Sequence, residues 1–184
     1  MTDLFPGMAT MRRCSLTLIA SLWLAAASPA LAEEAPAIVP GANPLIDYSA
    51  YVALTQKVGP YRAKRLLGLA EFRRRAASEG ALLLDASSAE AFSRGHIDGA
   101  VNLPFSDFTA ESLARLVGPD RSRPIYIYCN NNFRNNVAPV VTKSVQLALN
   151  IQTFVNLVGY GYPEVWELGE AVDMNDPATG WVGG

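Results

Sequence analysis

Cys129 and Arg134 are the two residues of this chain whose types and spacing could support nucleophilic chemistry. They bracket the loop of the segment IYIYCNNNFRNN, residues 125–136, in which an apolar run leads directly into a cysteine. The thiolate form of cysteine is the nucleophile, and the planar arginine fork can hold an oxyanion at two points. The pair therefore indicates attack by sulfur on an anionic substrate.

The residues around Cys129 predict a strand that ends at the cysteine and a helix that follows a short loop. The run 124–128 is typical of a buried parallel strand, and we expect a helix over 136–149 with Pro139 in its first turn. Ligands of open parallel sheets bind beyond the carboxyl ends of the strands, where a helix N-terminus favours negative charge. These placements predict an exposed Cys129 with a pKa below its ordinary value.

The asparagine run 130–132 predicts the shape of this loop. Asparagine adopts positive φ more readily than most residues, so the run could curl the backbone until successive N–H groups face the sulfur. The alternative is that Cys129 only packs in the core, because free cysteine is among the most often buried residue types. Its position at a strand end, before a polar loop with an arginine, favours reactivity.

The rest of the chain alternates between strand-like and helix-like patterns. Short apolar runs predict strands, and periodic segments with suitable caps predict helices. This alternation is typical of an α/β domain with a parallel sheet. The predicted strands are 65–67 and 81–84; the predicted helices are 48–57 (ending at Gly59-Pro60), 70–78, 88–92 and 109–117; residues 173–184 are predicted to be a flexible tail.

The segment from Met11 has the features of a secretory signal peptide. Two arginines precede an apolar run from Leu16 to Ala27, and Ala30-Leu31-Ala32 suits cleavage. A membrane anchor is the alternative, but about a dozen apolar residues fall short of the ~20 that a spanning helix needs. We therefore expect export to a periplasm and no stable membrane insertion afterwards.

This prediction divides the chain into four parts. Residues 1–32 are the signal, of which 1–10 are an upstream extension, and 33–47 are a linker to a domain over 48–172. Cys14 would leave with the signal, so Cys129 would be the one cysteine of an exported protein. A lone thiol in an oxidising compartment calls for a function.

Composition argues against several functions. The net charge is −2 and no basic stripe alternates with aromatic residues, so nucleic acid is not an expected partner. The sequence contains one histidine and no cluster with metal-ligand spacing, and no motif for nucleotide phosphates. We expect neither a metal nor a cofactor.

Three segments, in order, resemble the signatures of the rhodanese-like domain family. They are LLLDASSAEAFSRGHIDGAVNLPF at 82–105, PIYIYCNNNFR at 124–134 and GYPEVWELG at 161–169. The resemblance implies a central five-stranded parallel sheet with helices on both faces. It also implies transfer of sulfur through a cysteine persulfide.

The resemblance also implies a role for each matching residue. Cys129 corresponds to the nucleophile and Arg134 to the arginine that closes the loop, whereas Asp85 and His96 correspond to structural positions near the site. Four residues separate Cys129 from Arg134, as in the sulfurtransferases; the related phosphatases and arsenate reductases have one more. The loop residues that would surround the sulfur and bind the substrate are Asn130, Asn131, Asn132 and Phe133.

The resulting hypothesis is a sulfurtransferase that moves sulfur from thiosulfate, or a similar small anion, to a thiol or cyanide. Ser87 stands where the family usually has arginine, and Asn132 where it usually has glycine. A catalytically faded binding module is therefore the alternative. The extra residues 150–160 predict another helical piece, which either covers the site or, as we expect, pads the core.

Overall fold

The computed structural model describes residues 43–183, which contain a five-stranded parallel sheet and five α-helices. The predicted signal peptide and most of the predicted linker lie outside these residues. Beyond the sheet, a separate antiparallel pair is formed by two short strands. The seven strands are β1 (Leu66–Leu67), β2 (Leu82–Asp85), β3 (Gly95–Ile97), β4 (Val101–Asn102), β5 (Ile125–Tyr128), β6 (Val165–Leu168) and β7 (Trp181–Gly183).

The sheet has the strand order β1-β6-β5-β2-β4, with every neighbouring pair parallel. The predicted parallel five-stranded sheet is therefore confirmed. β5 is the central strand and is buried along its whole length. Its carboxyl end, where Cys129 follows, consequently lies in the middle of the sheet's edge.

Helices cover both faces of the sheet. Side chains alternate along the strands, so Leu84 and Ile127 point to one core, whereas Leu83 and Tyr126 point to the other. Helices α1, α4 and α5 contribute to the first core and α2 to the second. Within residues 43–183, no helix combines the length and hydropathy needed to cross a bilayer. The helices are α1 (Tyr48–Arg62), α2 (Leu69–Ala76), α3 (Ala89–Arg94), α4 (Ala110–Val117) and α5 (Leu149–Gly159).

Helix α1 continues past the predicted break at Gly59-Pro60. It ends at Arg62, so the proline lies inside its last turn. Proline there removes one intrahelical hydrogen bond. Val58 is buried and Tyr61 packs edge-to-face on Phe154, so tertiary packing holds the last turn in place.

The predicted helix over 136–149 is wrong. Residues 135–148, which we call the strap, are irregular apart from a 3-10 turn at Val145–Leu147. Asn136 has a positive φ of 44°, and its side chain accepts hydrogen bonds from Thr142 instead of leaving the backbone to form a helix. Helix α5 begins only at Leu149, and it accounts for the extra helical piece expected over 150–160.

The predicted flexible tail is also wrong for the described residues. β7 pairs antiparallel with β3, and Trp181 packs edge-to-face on Phe133, with ring centroids 5.0 Å apart. Gly95 makes this contact possible, because a Cβ at that position would lie 2.5 Å from Trp181 Cζ2. His96 thus lies within a strand, β3.

Replacing Trp181 with alanine should destabilise the domain, because it removes a large ring from the core that contains Phe133. The ring is only partly buried, so we expect about 2 kcal/mol, below the range for full burial. Urea unfolding of the full chain measures the loss. Val145→Ala, which truncates a side chain that is 81% exposed, is the control. An unchanged midpoint for Trp181→Ala would show that the C-terminal segment does not support the core.

Candidate active site

Three main-chain N–H groups converge on the sulfur of Cys129. They belong to Asn131 in the loop and to Leu149 and Asn150 in the first turn of α5. The sequence predicted amides around the sulfur and a helix N-terminus beside it. The helix that supplies two of these N–H groups, α5, begins at Leu149 and not at residue 136 as predicted. The strap lies between the loop and this helix.

The side chain of Asn132 holds this arrangement together. Its Oδ1 accepts from the Cys129 N–H at 3.0 Å and from Asn150 Nδ2 at 2.8 Å. Its Nδ2 donates to the carbonyls of Leu168 and Glu170, at 2.7 and 3.1 Å. The amide therefore joins the ends of β5 and β6 to the start of α5, and all of its hydrogen-bonding groups are used.

Asn150 contacts the reacting atom itself. Its side chain is buried, and its Oδ1 accepts a hydrogen bond from the thiol of Cys129. Because its Nδ2 donates to Asn132, the two amides and the cysteine form a closed ring of hydrogen bonds. The sequence did not predict this residue. Nothing in the sequence distinguished it from Gln152, Thr153 and Asn156, the other polar residues of the same helix.

The other two loop asparagines bind the strap. Asn131 pairs with Lys143 through two bonds: its Nδ2 donates to the Lys143 carbonyl at 2.8 Å, and its Oδ1 accepts from the Lys143 N–H at 3.0 Å. Asn130 Nδ2 donates to the carbonyls of Pro139 and Val141. The side chains of Asn130 and Asn131 thus bind the backbone of the strap, while the Asn131 N–H bonds to the sulfur.

Cys129 is buried, with 1% of its surface exposed, which corrects the predicted exposed sulfhydryl. Burial raises the pKa of the thiol to about 11, although the three N–H groups act in the opposite direction. The prediction of a lowered pKa is therefore wrong for this structure. The loss of hydration around the thiolate outweighs the main-chain dipoles that would stabilise it.

Asp85, at the end of β2, is a buried carboxylate near Cys129. Its Oδ1 accepts from the Ser87 N–H at 2.8 Å, and it also accepts from the hydroxyl of Tyr128. Desolvation raises the pKa of Asp85, while these hydrogen bonds lower it. Its negative charge further raises the pKa of Cys129. Ser87 thus satisfies the carboxylate and does not bring a positive charge to the site.

His96 lies on β3, outside the ring around the sulfur. Its Nδ1 is 2.9 Å from the Phe92 carbonyl, and the two rings stack with centroids 3.8 Å apart. It reaches the site only through its Coulombic effect on Asp85. The geometry agrees with the structural position that the family resemblance implies.

Phe133 and Arg134 lie apart from the loop residues that contact the sulfur. Phe133 is buried in the core on the α2 side of the sheet, against Tyr128. The Arg134 N–H donates to the Val172 carbonyl, and its exposed guanidinium lies near the Asp173 carboxylate, whose pKa is lowered chiefly by hydrogen bonds from Asn135 and Asn175. The predicted closure of the loop by Arg134 over the sulfur is not the arrangement found.

Two recesses flank the residues that surround Cys129. The larger, about 480 Å³, is open beside the ends of β2 and β5; the smaller, about 300 Å³, lies beside the end of β6. Cys129 is not among the described residues that line either of them. Those lining the larger recess include Ser87, Ser88, Ser106, Asn130, Lys143 and Leu149, and those lining the smaller include Asn131, Asn132, Ala148 and Asn150.

Lys143 is the one lysine or arginine that lines the larger recess. Across residues 43–183, no acidic side chain forms an ion pair with its ammonium group. The same range holds no group of three or more His, Cys, Asp or Glu residues that could bind a metal ion. The site is therefore a buried thiol with amide and hydroxyl neighbours and one nearby cation.

Comparison with known proteins identifies one family. The model described as the rhodanese-like domain matches residues 69–169, and none of the curated proteins matches the chain. Among solved structures, a Rhodanese_3 like domain from Anabaena is 23% identical, covering 48% of this chain and 74% of that one, with a TM-score of 0.35. A Bacillus halodurans protein is 20% identical, covering 61% and 73%, with a TM-score of 0.39. The thiosulfate sulfurtransferase from Pseudomonas aeruginosa is 19% identical, covering 66% and 20%, with a TM-score of 0.44.

Replacing Asn131 with alanine should expose the thiol more often. The change removes both hydrogen bonds to Lys143 but keeps the main-chain N–H that faces the sulfur. At a net value of about 1 kcal/mol for each bond, opening should become roughly thirtyfold more frequent. Alkylation of Cys129 by iodoacetamide in a Cys14→Ser background measures this.

Asn156→Ala is the matched control, because that asparagine bonds only to the Gln152 carbonyl within α5. Its alkylation rate should match that of the parent. Equal rates for Asn131→Ala and the parent would show that the strap does not limit access to the sulfur.

Proposed function

This chain belongs to the rhodanese-like domain family, and we propose that it is a sulfurtransferase that carries a sulfane sulfur on Cys129. The observation that carries the proposal is the convergence of the Asn131, Leu149 and Asn150 N–H groups on Sγ at the carboxyl end of β5. Such a cradle stabilises negative charge on the sulfur and on a second sulfur attached to it.

In the first step, the Cys129 thiolate attacks the outer sulfur of thiosulfate or a similar donor. A bond forms between Sγ and that sulfur, and the sulfur–sulfur bond of thiosulfate breaks. Sulfite leaves with the bonding electron pair, and Cys129 becomes a persulfide. In the second step, cyanide or a thiolate attacks the outer sulfur of the persulfide, so thiocyanate or a new persulfide leaves and the thiolate is restored.

Lys143 is the group that we expect to attract the donor. Lys143 lines the larger recess together with Asn130 and with Leu149, whose N–H belongs to the cradle, and Asp107 lines the same recess. A recess of about 480 Å³ has room for thiosulfate or for a larger persulfide donor. In this proposal, Lys143 binds the anion, a role predicted from the sequence for Arg134.

The reaction requires the closed arrangement to open. With a pKa of about 11, on the order of one molecule in a thousand carries the thiolate at pH 8. Displacement of the strap would admit both water and the donor, and hydration would lower the pKa toward the ordinary cysteine value of about 8.5. Strap opening would then limit the first step.

A non-enzymatic binding module in the same exported setting is the second candidate. The observation that favours it is the burial of Cys129, because a thiol that is never exposed cannot receive sulfur. In that case the larger recess, with its serines and Lys143, would hold a ligand without chemistry. Export to the periplasm, which the N-terminal pattern predicts, is part of both proposals.

Incubation with thiosulfate should add one sulfur to Cys129. Because the persulfide stays attached until an acceptor arrives, intact mass spectrometry of the Cys14→Ser protein should show a gain of about 32 Da. Addition of cyanide should remove that mass and produce thiocyanate. Cys129→Ser in the same background should gain no sulfur, while its urea unfolding midpoint stays near that of the parent.

The enzyme proposal fails if the Cys14→Ser protein gains no sulfur even when Asn131→Ala is added to open the strap. It also fails if the Cys129→Ser protein still produces thiocyanate. The first outcome would favour the binding module, and the second would place the chemistry elsewhere in the chain.

A further inference from the structure

We propose that Asn150 is a positioning residue whose side-chain carbonyl holds Cys129 as a neutral thiol until the site opens. The inference rests on the proposed function only in taking Cys129 as the reacting group. It concerns the protonation of the resting cysteine, which can be measured without any sulfur donor.

The orientation of the Asn132 amide is determined by the backbone around it. Its Nδ2 donates to two carbonyls, those of Leu168 and Glu170, and its Oδ1 accepts from the Cys129 N–H. A reversed amide would place Nδ2 against that N–H and Oδ1 against the two carbonyls. All three hydrogen bonds would be lost in a buried environment, so this amide has one allowed orientation.

Asn132 in turn determines the orientation of Asn150. Because Asn132 presents Oδ1 toward α5, Asn150 must present Nδ2 to it, and the distance between these two atoms is 2.8 Å. The Oδ1 of Asn150 is then directed at Sγ, where it accepts the thiol proton. A reversed Asn150 would place two carbonyl oxygens against each other. The fold therefore gives the sulfur an acceptor where a thiolate would need a donor.

Two opposite influences consequently act on the same sulfur. Three main-chain N–H groups favour the thiolate, whereas burial, the Asn150 carbonyl and the Asp85 carboxylate favour the thiol. The other charged groups are taken up elsewhere or lie at the rim. Arg62 pairs with Glu167 on β6, Arg134 faces Asp173, and His96 acts on Asp85. Lys143 and Asp107 line the outer recess.

The consequence is a cysteine that reacts only after α5 or the strap shifts. Loss of the contact between Asn132 and Asn150 would free the Asn150 amide to turn and donate Nδ2 to the thiolate or to a persulfide. The same residue would then stabilise the neutral thiol in the closed form and the anion in the open form. In a compartment that oxidises exposed thiolates, such a device would preserve the cysteine between turnovers.

The experiment is a pH titration of Cys129 by NMR, using cysteine labelled with ¹³C at Cβ in the full Cys14→Ser chain. The Cβ shift reports the thiolate directly. In Asn150→Ala the acceptor is gone and the three N–H groups remain, so the titration midpoint should fall by about one pH unit, a tenfold gain in thiolate at a given pH. In Asn150→Asp a carboxylate replaces the carbonyl, so the midpoint should rise.

Alkylation by iodoacetamide, divided by the thiolate fraction at the same pH, separates this effect from simple opening. Asn150→Ala removes one hydrogen bond between α5 and Asn132 and should raise this ratio less than Asn131→Ala, which removes both bonds to Lys143. Thermal unfolding establishes that each variant is folded.

The inference is overturned if the titration midpoints of Asn150→Ala and Asn150→Asp both stay at the parent value or move in the same direction. It is also overturned if the lower midpoint of Asn150→Ala comes with a ratio as high as that of Asn131→Ala. If the midpoint falls in Asn150→Ala and rises in Asn150→Asp, but the protein transfers no sulfur, the enzyme proposal is rejected and this inference stands.

Discussion

The arrangement around Cys129 depends on the four hydrogen bonds of one buried amide, the side chain of Asn132. β5 and β6 lie side by side in the sheet, and the hydrogen bonds of this side chain and of the neighbouring Asn150 join their ends to the start of α5. A buried amide with every donor and acceptor used stabilises one arrangement strongly, because each alternative leaves a polar atom unpaired. Glycine at this position would leave the two strand ends and the helix without that connection.

The chemistry of the sulfur follows from this connection. By holding the first turn of α5 against the end of β5, it places the N–H groups of Leu149 and Asn150 at Sγ and excludes water from the same place. The first effect favours a thiolate and the second opposes it. Since the pKa of Cys129 is raised to about 11, desolvation is the larger effect in the closed form. In the closed form the three N–H groups therefore surround a neutral thiol.

The parts of the fold that local patterns determine could be predicted from the sequence. The apolar runs of β2 and β5, the cap of α3 at Ser88 and the capped helix α4 all depend on residues close in the chain. The pairing of β3 with β7 could not be predicted, because each strand has three residues and its stability comes from distant contacts such as Phe133 with Trp181. The tail looked disordered since its partner lies far away in the sequence.

The position of Cys129 at the end of β5 was predicted, but its surroundings were not. The position of Cys129 follows from the strand before it, whereas the strap and the start of α5 depend on which groups the asparagines bind. Side chains that can curl a backbone into an anion nest can equally pair with a distant backbone, as Asn131 does with Lys143. The conformational preference of asparagine does not decide whether its side chain curls the loop or binds a distant backbone. Because Asn131 binds the strap, the sulfur is buried, and burial raises the pKa of Cys129.

The strap also changes what the asparagines contribute to a rhodanese-like loop. Asn130 and Asn131 attach it through hydrogen bonds between neutral groups, each of which contributes about 1 kcal/mol net. If the strap opens as proposed, a few such bonds would favour the closed form by a few kcal/mol. A donor anion that binds beside Lys143 at the edge of the strap would favour the open form by its affinity for that form alone. Binding of the substrate and release of the thiol from its neutral state would then be the same event.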